Sequence, residues 1–267
     1  MAKSYVITGT SKGIGLEFVR QLSAVTTNQV FAIVRNKSTS TNLIELASKN
    51  KNIQILEADV TNYAQMKAAA AEVSKYTEGT LDVLVNNAAF VNRKHGGLGL
   101  ADYKDDDVLR KDLLESFEVN VIGVIHSINA FLDLVKAGQT KKVITISTGV
   151  ADPDAIWGSG LYQAAPYGIS KAALNMTVTK YAIQFKPEGI IFLALSPGLV
   201  DTAERPVSPQ AIAMLQAMTA SIRKSVPTFN GPITPEESVR AQLNVIDGLT
   251  LEDTGGFISH HGNKNWV

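Results

Sequence analysis

The chain has 267 residues, enough for one large α/β domain or two small ones. Its 25 basic and 25 acidic residues cancel, so no net field would recruit nucleic acid or an anionic membrane. The absence of cysteine excludes disulfides, thiolate chemistry and metal sites with cysteine ligands. Lys3 and then a strand follow shortly after Met1, without the apolar stretch of a signal peptide, and no apolar run approaches membrane-spanning length. We therefore expect a cytoplasmic protein that binds neither a membrane nor nucleic acid.

Short apolar runs alternate with stretches of helical periodicity along the whole chain. The predicted strands are 5–8, 30–34, 53–56, 81–85, 142–147, 190–195 and 256–259. The predicted helices are 15–24, 42–48, 62–76, 106–136, 166–185 and 234–243. Most of the strands are continuously apolar, which is typical of a parallel sheet covered by helices on both faces. The pattern predicts an α/β fold with a single doubly wound domain over residues 1–267 and a mostly parallel, seven-stranded sheet.

Three segments interrupt this rhythm: about 90–104, 149–165 and 201–232, the last with a helical run at 208–223. Each of them follows the carboxyl end of a strand, where open α/β sheets bind their ligands. We expect these segments to form the walls of a substrate site. Within 149–165, Trp157 and Tyr162 either reach that site or cover the sheet.

Glycines at positions 9, 13 and 15 follow the first strand in the spacing G-x-x-x-G-x-G. Glycines here let the chain turn sharply, bring backbone N–H groups against a pyrophosphate and let the next helix pack closely on its strand. The turn therefore favours nucleotide binding, although an ordinary strand-to-helix turn is the alternative.

Tyr167 and Lys171 are four residues apart at the start of a helix, so their side chains share one helical face. A tyrosine hydroxyl titrates near pH ~10, and a nearby ammonium would help it to act as an acid or base at neutral pH. Tyr63 and Lys67 have the same spacing, but they come early in the chain, where we expect Tyr63 to be a half-exposed packing residue.

These motifs and several others fall in the order and spacing of one known family, whose members they resemble over nearly the whole chain. The family is that of the short-chain dehydrogenase/reductases, and Gly255-Gly256-Phe257 and the long gap before Tyr167 are most similar to the sniffer and C-factor carbonyl reductase branch. The resemblance implies a Rossmann-type fold and reversible, metal-free hydride transfer between a nicotinamide cofactor and a carbonyl or alcohol. The matching segments are Gly9–Gly15, Asp59-Val60, Asn86-Asn87-Ala88-Ala89, Asn120, Ser147-Thr148, Tyr167–Lys171 and Pro197-Gly198.

The resemblance also implies catalytic roles. Tyr167 would protonate the carbonyl oxygen as hydride reaches carbon, while Lys171 would lower the pKa of Tyr167 and bind the nicotinamide ribose. Asn120 would hold a water that links Lys171 to solvent; a polar residue that interrupts a long helix for packing reasons is the alternative. The family usually has a Ser-Ser pair after the fifth strand, of which the second serine polarises the carbonyl. Here Thr148 takes that position and Ser147 is the alternative.

The family pattern also implies a set of cofactor contacts. Ala89 departs from it, because a glycine is usual there; a methyl group is tolerable if φ is negative. Asp59 and Val60 would bound the adenine pocket, Asn86 and Ala88 would lie beside the adenosine ribose, and Pro197, Gly198, Val200 and Thr202 would lie against the nicotinamide. With the glycine turn and the catalytic pair, the full set is Gly9, Ser11, Lys12, Gly13, Ile14, Gly15, Arg35, Asn36, Asp59, Val60, Asn86, Ala88, Tyr167, Lys171, Pro197, Gly198, Val200 and Thr202.

Charge favours NADPH/NADP⁺ over NADH as the cofactor. Enzymes that use NAD place an acidic residue after the second strand to bind the ribose 2′-hydroxyl, whereas a 2′-phosphate needs cations. This chain has Val34-Arg35-Asn36-Lys37 there and Lys12 in the glycine turn. Arg35 can make bidentate contacts and Lys12 supplies a point charge. Two solvated surface cations are the alternative.

The sequence therefore predicts an NADPH-dependent carbonyl reductase that acts on a small carbonyl or alcohol, apolar or aromatic in character. A catalytically inactive NADPH-binding sensor of the same fold is the alternative. No metal site is expected, because the four histidines lack the spacing of metal ligands. The family often pairs through its long fourth and fifth helices, here 106–136 and 166–185, so a homodimer or homotetramer is expected.

Overall fold

A computed structural model describes residues 2–92, 94–203 and 209–267 of the chain. These residues form one sheet of seven strands, all parallel, in the order β3-β2-β1-β4-β5-β6-β7. The strands are β1 Ser4–Thr8, β2 Gln29–Val34, β3 Ile53–Glu57, β4 Val83–Asn86, β5 Lys142–Ile146, β6 Ile191–Ser196 and β7 Phe257–Ser259. The predicted α/β fold with its doubly wound sheet is confirmed, and the sheet is wholly parallel rather than mostly so.

Helices connect the strands and cover both faces of the sheet. Within the described residues the α-helices are α1 Gly13–Ser23, α2 Thr41–Lys49, α3 Tyr63–Thr77, α4 Asp106–Phe117, α5 Gly123–Ala137, α6 Pro153–Ser159, α7 Ala165–Phe185, α8 Pro209–Ser225 and α9 Pro235–Gly248. The N-terminus of α9 is fixed by a capping box, in which the Thr234 hydroxyl accepts from Glu237 N and the Glu237 carboxylate accepts from Thr234 N.

The core lies in two layers, because alternate residues of each strand point to opposite faces. Val6 and Leu84 belong to the layer beneath α3, α5 and α7, whereas Tyr5 and Ile7 belong to the layer beneath α1, α2 and α9. Burial on both faces explains why the strand sequences are continuously apolar.

The predicted helix 106–136 is interrupted. A π-helical turn at Glu118–Ile122 separates α4 from α5 and contains Asn120. Such a turn inserts one residue into the helical ladder and is frequent at functional sites. Taken together, α4, the π-helical turn and α5 form a helical stretch, Asp106–Ala137, that is long and apolar enough to span a membrane by length and composition alone. The expectation was that no apolar run approaches membrane-spanning length. In this fold Val124, Ile128 and Phe131 of α5 pack into the core.

The segment 149–165 contains a helix that the sequence analysis did not predict. Asp152 caps α6 by accepting from Ala155 N at 2.9 Å, Pro153 opens the helix, and Gly160 ends it with φ +66°. These signals were present in the sequence, but the short apolar stretch did not reach the length of a periodic helix. Of the other two interrupting segments, residues 93 and 204–208 lie outside the described residues.

The topology brings the candidate residues to one edge of the sheet. Strand β1 lies between β2 and β4, so the chain order reverses there. The carboxyl ends of β1, β4 and β5 therefore meet in one crevice, where ligands bind in open α/β sheets. Thr8, Asn86 and Ile146 are the last residues of these three strands.

Candidate active site

The glycine turn after β1 is a cradle that has no room for side chains. A Cβ on Gly9 would lie 2.7 Å from Ala88 Cα, and a Cβ on Gly15 would collide with Gly9 O. Gly9 and Gly13 also have positive φ values of 73° and 58°. The turn thus presents bare backbone at the start of α1, as a pyrophosphate site requires.

Asn87 holds this cradle and was not among the predicted site residues. Its Nδ2 donates to Thr8 O at 3.0 Å and to Gly9 O at 3.1 Å. In return, Thr8 Oγ1 accepts from the backbone N–H groups of Asn87 and Ala88. The end of β4 is therefore tied to the glycine turn. The signal was the Asn-Asn pair itself, of which only the first member was assigned a role.

The neighbouring Asn86 is suited to contact a ligand. It is 2% exposed, and its Oδ1 has no hydrogen-bond partner among the described residues. A buried polar atom normally has a partner, so an unpaired one at the mouth of a cradle fits a ligand that supplies it. Ala88 approaches Gly9 closely. Ala89 is not among the residues with positive φ, so its methyl group is tolerated as expected.

Arg35 and Asn36 are exposed directly after β2. This loop lies beside the glycine turn, because the backbone N–H groups of Gly9 and Thr10 both donate to Ile33 O. Lys12, also exposed, stands at the start of α1 in the same turn. The structure thus brings the two predicted cations to one edge of the cradle. An acidic residue, Glu57, reaches the same loop, where its carboxylate accepts from Lys37 N at 2.7 Å. The sequence analysis did not consider Glu57, because it lies at the end of β3 and not after β2.

Asp59 and Val60 follow β3, the strand that pairs with β2. Asp59 Oδ1 accepts from the N–H and the hydroxyl of Thr61, which fixes the turn. Val60 packs against Gly123, where a Cβ would lie 2.8 Å from Val60 Cγ2. The two residues are partly buried, as a wall of an adenine pocket would be.

The lysine of α7 is buried and the tyrosine is half-buried, both at the carboxyl end of β5. Lys171 is 2% exposed and its Nζ donates to Ile146 O at 2.8 Å. It lies 5.9 Å from the centre of the Tyr167 ring. Burial raises the pKa of Tyr167 to about 12 and lowers the pKa of Lys171 to about 7.

These directions correct one expectation. A neighbouring ammonium was expected to lower the pKa of Tyr167, but burial, which penalises the phenolate, dominates and raises it. Burial likewise favours the neutral amine of Lys171. Tyr167 therefore carries its proton throughout the neutral range and can donate it.

The alternative pair is at the surface. Tyr63 is 40% exposed at the start of α3, and its ring packs on His126 with a centroid distance of 5.4 Å. Lys67 Nζ is 5.5 Å from the Tyr63 ring. This arrangement agrees with the expected packing role.

Ser147 and Thr148, directly after β5, are used differently. Ser147 is buried, and its hydroxyl donates to Asn175 Oδ1 at 2.6 Å on α7. Thr148 Oγ1 accepts from Val150 N at 3.3 Å, which leaves its hydroxyl proton available. Both residues line the same cleft as Tyr167. The geometry favours Thr148 as the donor to a substrate carbonyl, since the Ser147 proton is already committed.

Asn120 is fully buried in the π-helical turn. Its Oδ1 accepts from Phe90 N at 2.7 Å, and its Nδ2 donates to Phe90 O and to Ser170 Oγ. Both amide protons are therefore used. The side chain joins the segment after β4 to α7, close to the catalytic pair.

The chain after β6 forms the fourth side of the crevice. Gly198 has φ +82°, and a Cβ there would lie 2.7 Å from His260 Cε1. Ser238 of α9 donates to Pro197 O, and Val200 forms a parallel bridge with Ile233. Thr202 lies beside the glycine turn, with its Cβ 3.4 Å from where a Cβ on Gly13 would be. Pro197, Gly198, Val200 and Thr202 thus connect the cradle to the catalytic end.

These groups open into a cleft of about 1090 Å³. Tyr167, Thr148, Pro197 and Gly198 all line it. All three predicted wall segments contribute, for example Val91, Ile156 and Met218, together with residues 261 and 263–267, which the sequence analysis did not include. Trp157 and Tyr162 are 91% and 64% exposed and lie outside the cleft lining.

The wall segment 90–104 is clamped by one buried carboxylate. Asp112 of α4, 2% exposed, accepts from Asn92 Nδ2 at 2.6 Å and from the Tyr103 hydroxyl at 2.9 Å. His95 Nδ1 lies 2.7 Å from the same carboxylate. Burial, and after it the hydrogen bond and charge of Asp112, raises the pKa of Tyr103 to about 12.

Across the described residues, no group of three or more histidine or acidic side chains could hold a metal ion. The groups that are present suit a dinucleotide: a bare glycine cradle, the unpaired acceptor Asn86 Oδ1 and two cations near the cradle, together with a half-buried tyrosine and a buried lysine.

Comparison with known proteins agrees with this arrangement. The family model of the short chain dehydrogenases matches residues 3–211. The chain is 41% identical over 271 residues to the short chain dehydrogenase virK of Hypocrea virens, with 99% of each chain covered.

Solved structures share the fold. The NADPH-bound carbonyl reductase from chicken fatty liver aligns with a TM-score of 0.78 and 28% identity, covering 98% of both chains. The carbonyl reductase Sniffer of D. melanogaster aligns with the same TM-score and coverage at 22% identity. From its glycine cradle, its tyrosine–lysine pair and these matches, the chain belongs to the short-chain dehydrogenase/reductase family of oxidoreductases.

Proposed function

We propose that the protein reduces a ketone or aldehyde to an alcohol with NADPH. The observation that carries the proposal is that Tyr167, raised in pKa to about 12, and Thr148, with a hydroxyl proton available, line one cleft. A protonated phenol is the form that reduction needs, because the carbonyl oxygen must receive a proton.

Thr148 and Tyr167 have distinct roles in the proposed reduction. Bound NADPH supplies the hydride that adds to the carbonyl carbon. The Thr148 hydroxyl donates a hydrogen bond to the carbonyl oxygen and stabilises the charge that develops there. Tyr167 transfers its hydroxyl proton to that oxygen, so the alcohol and a tyrosinate form together. The O–H bond of Tyr167 breaks as the new one forms, and a proton from solvent then restores the phenol.

Lys171 and Asn120 support Tyr167 in this scheme. Lys171 is held by Ile146 O beneath the tyrosine and would bind the nicotinamide ribose. As the tyrosinate forms, an ammonium at this position stabilises it. Asn120 fixes the relative position of α7 and the segment after β4 through its bonds to Phe90 and Ser170.

The cofactor preference is proposed from charge. Arg35 and Lys12 stand at the adenosine end of the cradle, where a 2′-phosphate would lie. The acid near this loop, Glu57, lies at the end of β3 rather than directly after β2, where enzymes that use NAD place theirs. The related carbonyl reductase from chicken was solved with NADPH bound.

A binding-only sensor is the weaker candidate. Such a protein needs the cradle but not the set at the far end of the cleft. Here the buried Lys171, the buried Asn120 and the exposed proton of Thr148 all converge beside Tyr167. Burying a lysine is costly, and a sensor would gain nothing from it.

The outer faces of α4 and α7 support self-association. The two helices pack on each other, and each of them exposes large apolar side chains. Exposed apolar surface is a feature of interfaces between protein chains. We propose a homodimer or homotetramer through this face, testable by light scattering of Ile183→Glu. The exposed residues are Leu114, Phe117, Ile169, Met176 and Ile183.

The test of the proposed activity is NADPH oxidation, followed at the nicotinamide absorbance, against a panel of aromatic ketones, diketones and aliphatic aldehydes. Reduction of at least one class, lost in Tyr167→Phe, supports the proposal. Tight NADPH binding without reduction of any carbonyl would support the sensor instead.

A further inference from the structure

Residues 260–267, after β7, fold back onto the sheet and form a wall of the cleft. Ser259 N donates to Asn263 O at 2.7 Å, and Gly262 N donates to Ser259 O at 2.8 Å, so the chain reverses within a tight turn. Asn265 N donates to Asn263 Oδ1 at 2.8 Å and fixes the returning chain. We call residues 260–267 the return segment.

The return segment carries Trp266 back over the carboxyl end of β5. The indole stacks on Phe257 of β7, with ring centroids 4.3 Å apart and an interplanar angle of 27°. It also lies against Gly149, where a Cβ would be only 2.7 Å from Trp266 Cβ. Gly149 directly follows Thr148, so the indole is fixed beside the residue that polarises the carbonyl in the proposed function.

Trp266 also faces the space that a substrate would occupy. It lines the cleft together with Tyr167 and with apolar side chains such as Ile156 of α6 and Met218 of α8. The other tryptophan of the chain, Trp157, is 91% exposed and is not part of this lining. The two tryptophans therefore occupy opposite environments on the same protein.

We propose that Trp266 determines substrate specificity by forming the wall against which the flat, aromatic part of a carbonyl substrate binds. This inference rests on the proposed function, since it assumes that Thr148 and Tyr167 hold the carbonyl. An indole immobilised by Phe257 loses little freedom when a ring packs on it, and aromatic pairs favour such contacts beyond their buried area. A small aliphatic carbonyl has no ring to pack on this wall.

The first experiment tests the placement of Trp266 without turnover. In Trp157→Phe the remaining tryptophan is Trp266, and in Trp266→Phe it is Trp157. Acrylamide should quench the fluorescence of Trp157 several-fold more strongly than that of Trp266. The double variant Tyr167→Phe, Trp157→Phe is then given NADP⁺ and phenylethanol, and the added phenylethanol should protect Trp266 further from acrylamide quenching. In the matching variant Tyr167→Phe, Trp266→Phe, phenylethanol should leave the quenching of Trp157 unchanged.

The second experiment compares two vicinal diketones, phenanthrenequinone and butanedione, which share a reactive group and differ in aromatic bulk. Trp266→Ala should raise KM for phenanthrenequinone by about tenfold or more and change KM for butanedione and NADPH by less than about twofold. Trp266→Phe should restore the wild-type KM, and Trp157→Ala should match the wild type. Trp266→Leu replaces the alanine variant if the latter does not fold.

The outcomes separate the two proposals. If Trp266→Ala raises KM equally for both diketones, or if Trp157→Ala changes the two KM values in the same way as Trp266→Ala, Trp266 does not set specificity. If the wild type reduces neither diketone, these substrates do not support the proposed function, and the quenching experiment decides on Trp266. Protection by phenylethanol then supports the aromatic wall, and lack of protection overturns it.

Discussion

Lys171 Nζ donates a 2.8 Å hydrogen bond to the carbonyl oxygen of Ile146, the last residue of β5. This bond fixes the first turns of α7 to the strand end that continues into Ser147 and Thr148. It also holds a lysine where burial lowers its pKa to about 7. Helix α7 and strand β5, which carry the proposed catalytic residues, are thus joined through Lys171.

The hydroxyl of Tyr167 should be essential for turnover and dispensable for cofactor binding. Tyr167→Phe should abolish carbonyl reduction and leave the NADPH dissociation constant within a few-fold, because only the proton donor is lost. Tyr63→Phe is the matched control, since Tyr63 has a lysine at the same spacing but lies at the surface. Steady-state kinetics and fluorescence titration check this. A near-normal kcat in Tyr167→Phe together with loss of activity in Tyr63→Phe would show that Tyr63, and not Tyr167, is the proton donor.

Thr148 should matter more for kcat than Ser147. Thr148→Ala should lower kcat by roughly two orders of magnitude, the usual scale for loss of one donor to a developing oxyanion, and Thr148→Ser should be tolerated. Ser147→Ala removes the bond to Asn175 and should instead lower the free energy of unfolding by about 1 kcal/mol. Paired kinetics and denaturant titration measure both effects. The opposite order in kcat would move the polarising role to Ser147.

Arg35 should set the preference for NADPH. Each charged contact that NADH cannot make contributes about 1.5–3 kcal/mol, so kcat/KM should favour NADPH by at least about a hundredfold. Arg35→Asp should weaken NADPH strongly and improve NADH, because a carboxylate repels the phosphate and accepts from a 2′-hydroxyl. Lys51→Asp makes the same change in net charge just before the start of β3, at the amino ends of the strands rather than the carboxyl ends, and should have little effect. Equal use of both cofactors by the wild type would contradict the assignment.

Burial of Lys171 should make stability depend on pH above neutrality. The unfolded chain keeps this proton up to the ordinary lysine pKa of 10.5, whereas the folded protein keeps it only below about 7. Between these values unfolding takes up a proton, so the free energy of unfolding rises with pH by about 1.4 kcal/mol per unit. Relative to Lys171→Met, the wild type should therefore gain stability from pH 7.5 to 9.5.

Urea titrations across this range measure the difference. The exposed Lys180, on the same helix, provides the control, because Lys180→Met should run parallel to the wild type at every pH. A constant difference between the wild type and Lys171→Met would show that Lys171 remains charged in the folded protein.

The Asp112 clamp should hold the cleft wall in its binding position. Asp112→Ala removes the shared acceptor of Asn92, His95 and Tyr103, so segment 90–104 should loosen and KM for the carbonyl should rise several-fold. The KM for NADPH should change much less, since the cradle lies on the other side of β4. Exposed Asp133→Ala or a similar surface change should leave both constants unaltered. An equal rise in both constants would indicate general destabilisation.

The sequence by itself determined the elements and their order. Continuous apolar strands alternating with amphipathic helices can be satisfied only by a parallel sheet buried on both faces, and the structure has that sheet. The glycine spacing and the Tyr167–Lys171 spacing were equally local, because a turn or one helical face is fixed by neighbouring residues. Strand ends were predicted to within two residues. Helix α6 was missed because its seven residues are too few for a helical periodicity to be recognised.

Tertiary structure decided what depends on distant partners. The hydroxyl of Ser147 is committed because Asn175 lies opposite it on α7, and the sequence could not show that pairing. Glu57 reaches the loop after β2 only because β2 and β3 are neighbours in the sheet. Burial, which no local pattern reports, set the direction of both pKa changes in the catalytic pair. The return of Trp266 to Gly149 across more than a hundred residues is likewise a product of the whole fold, because packing and desolvation depend on neighbours in space rather than in sequence.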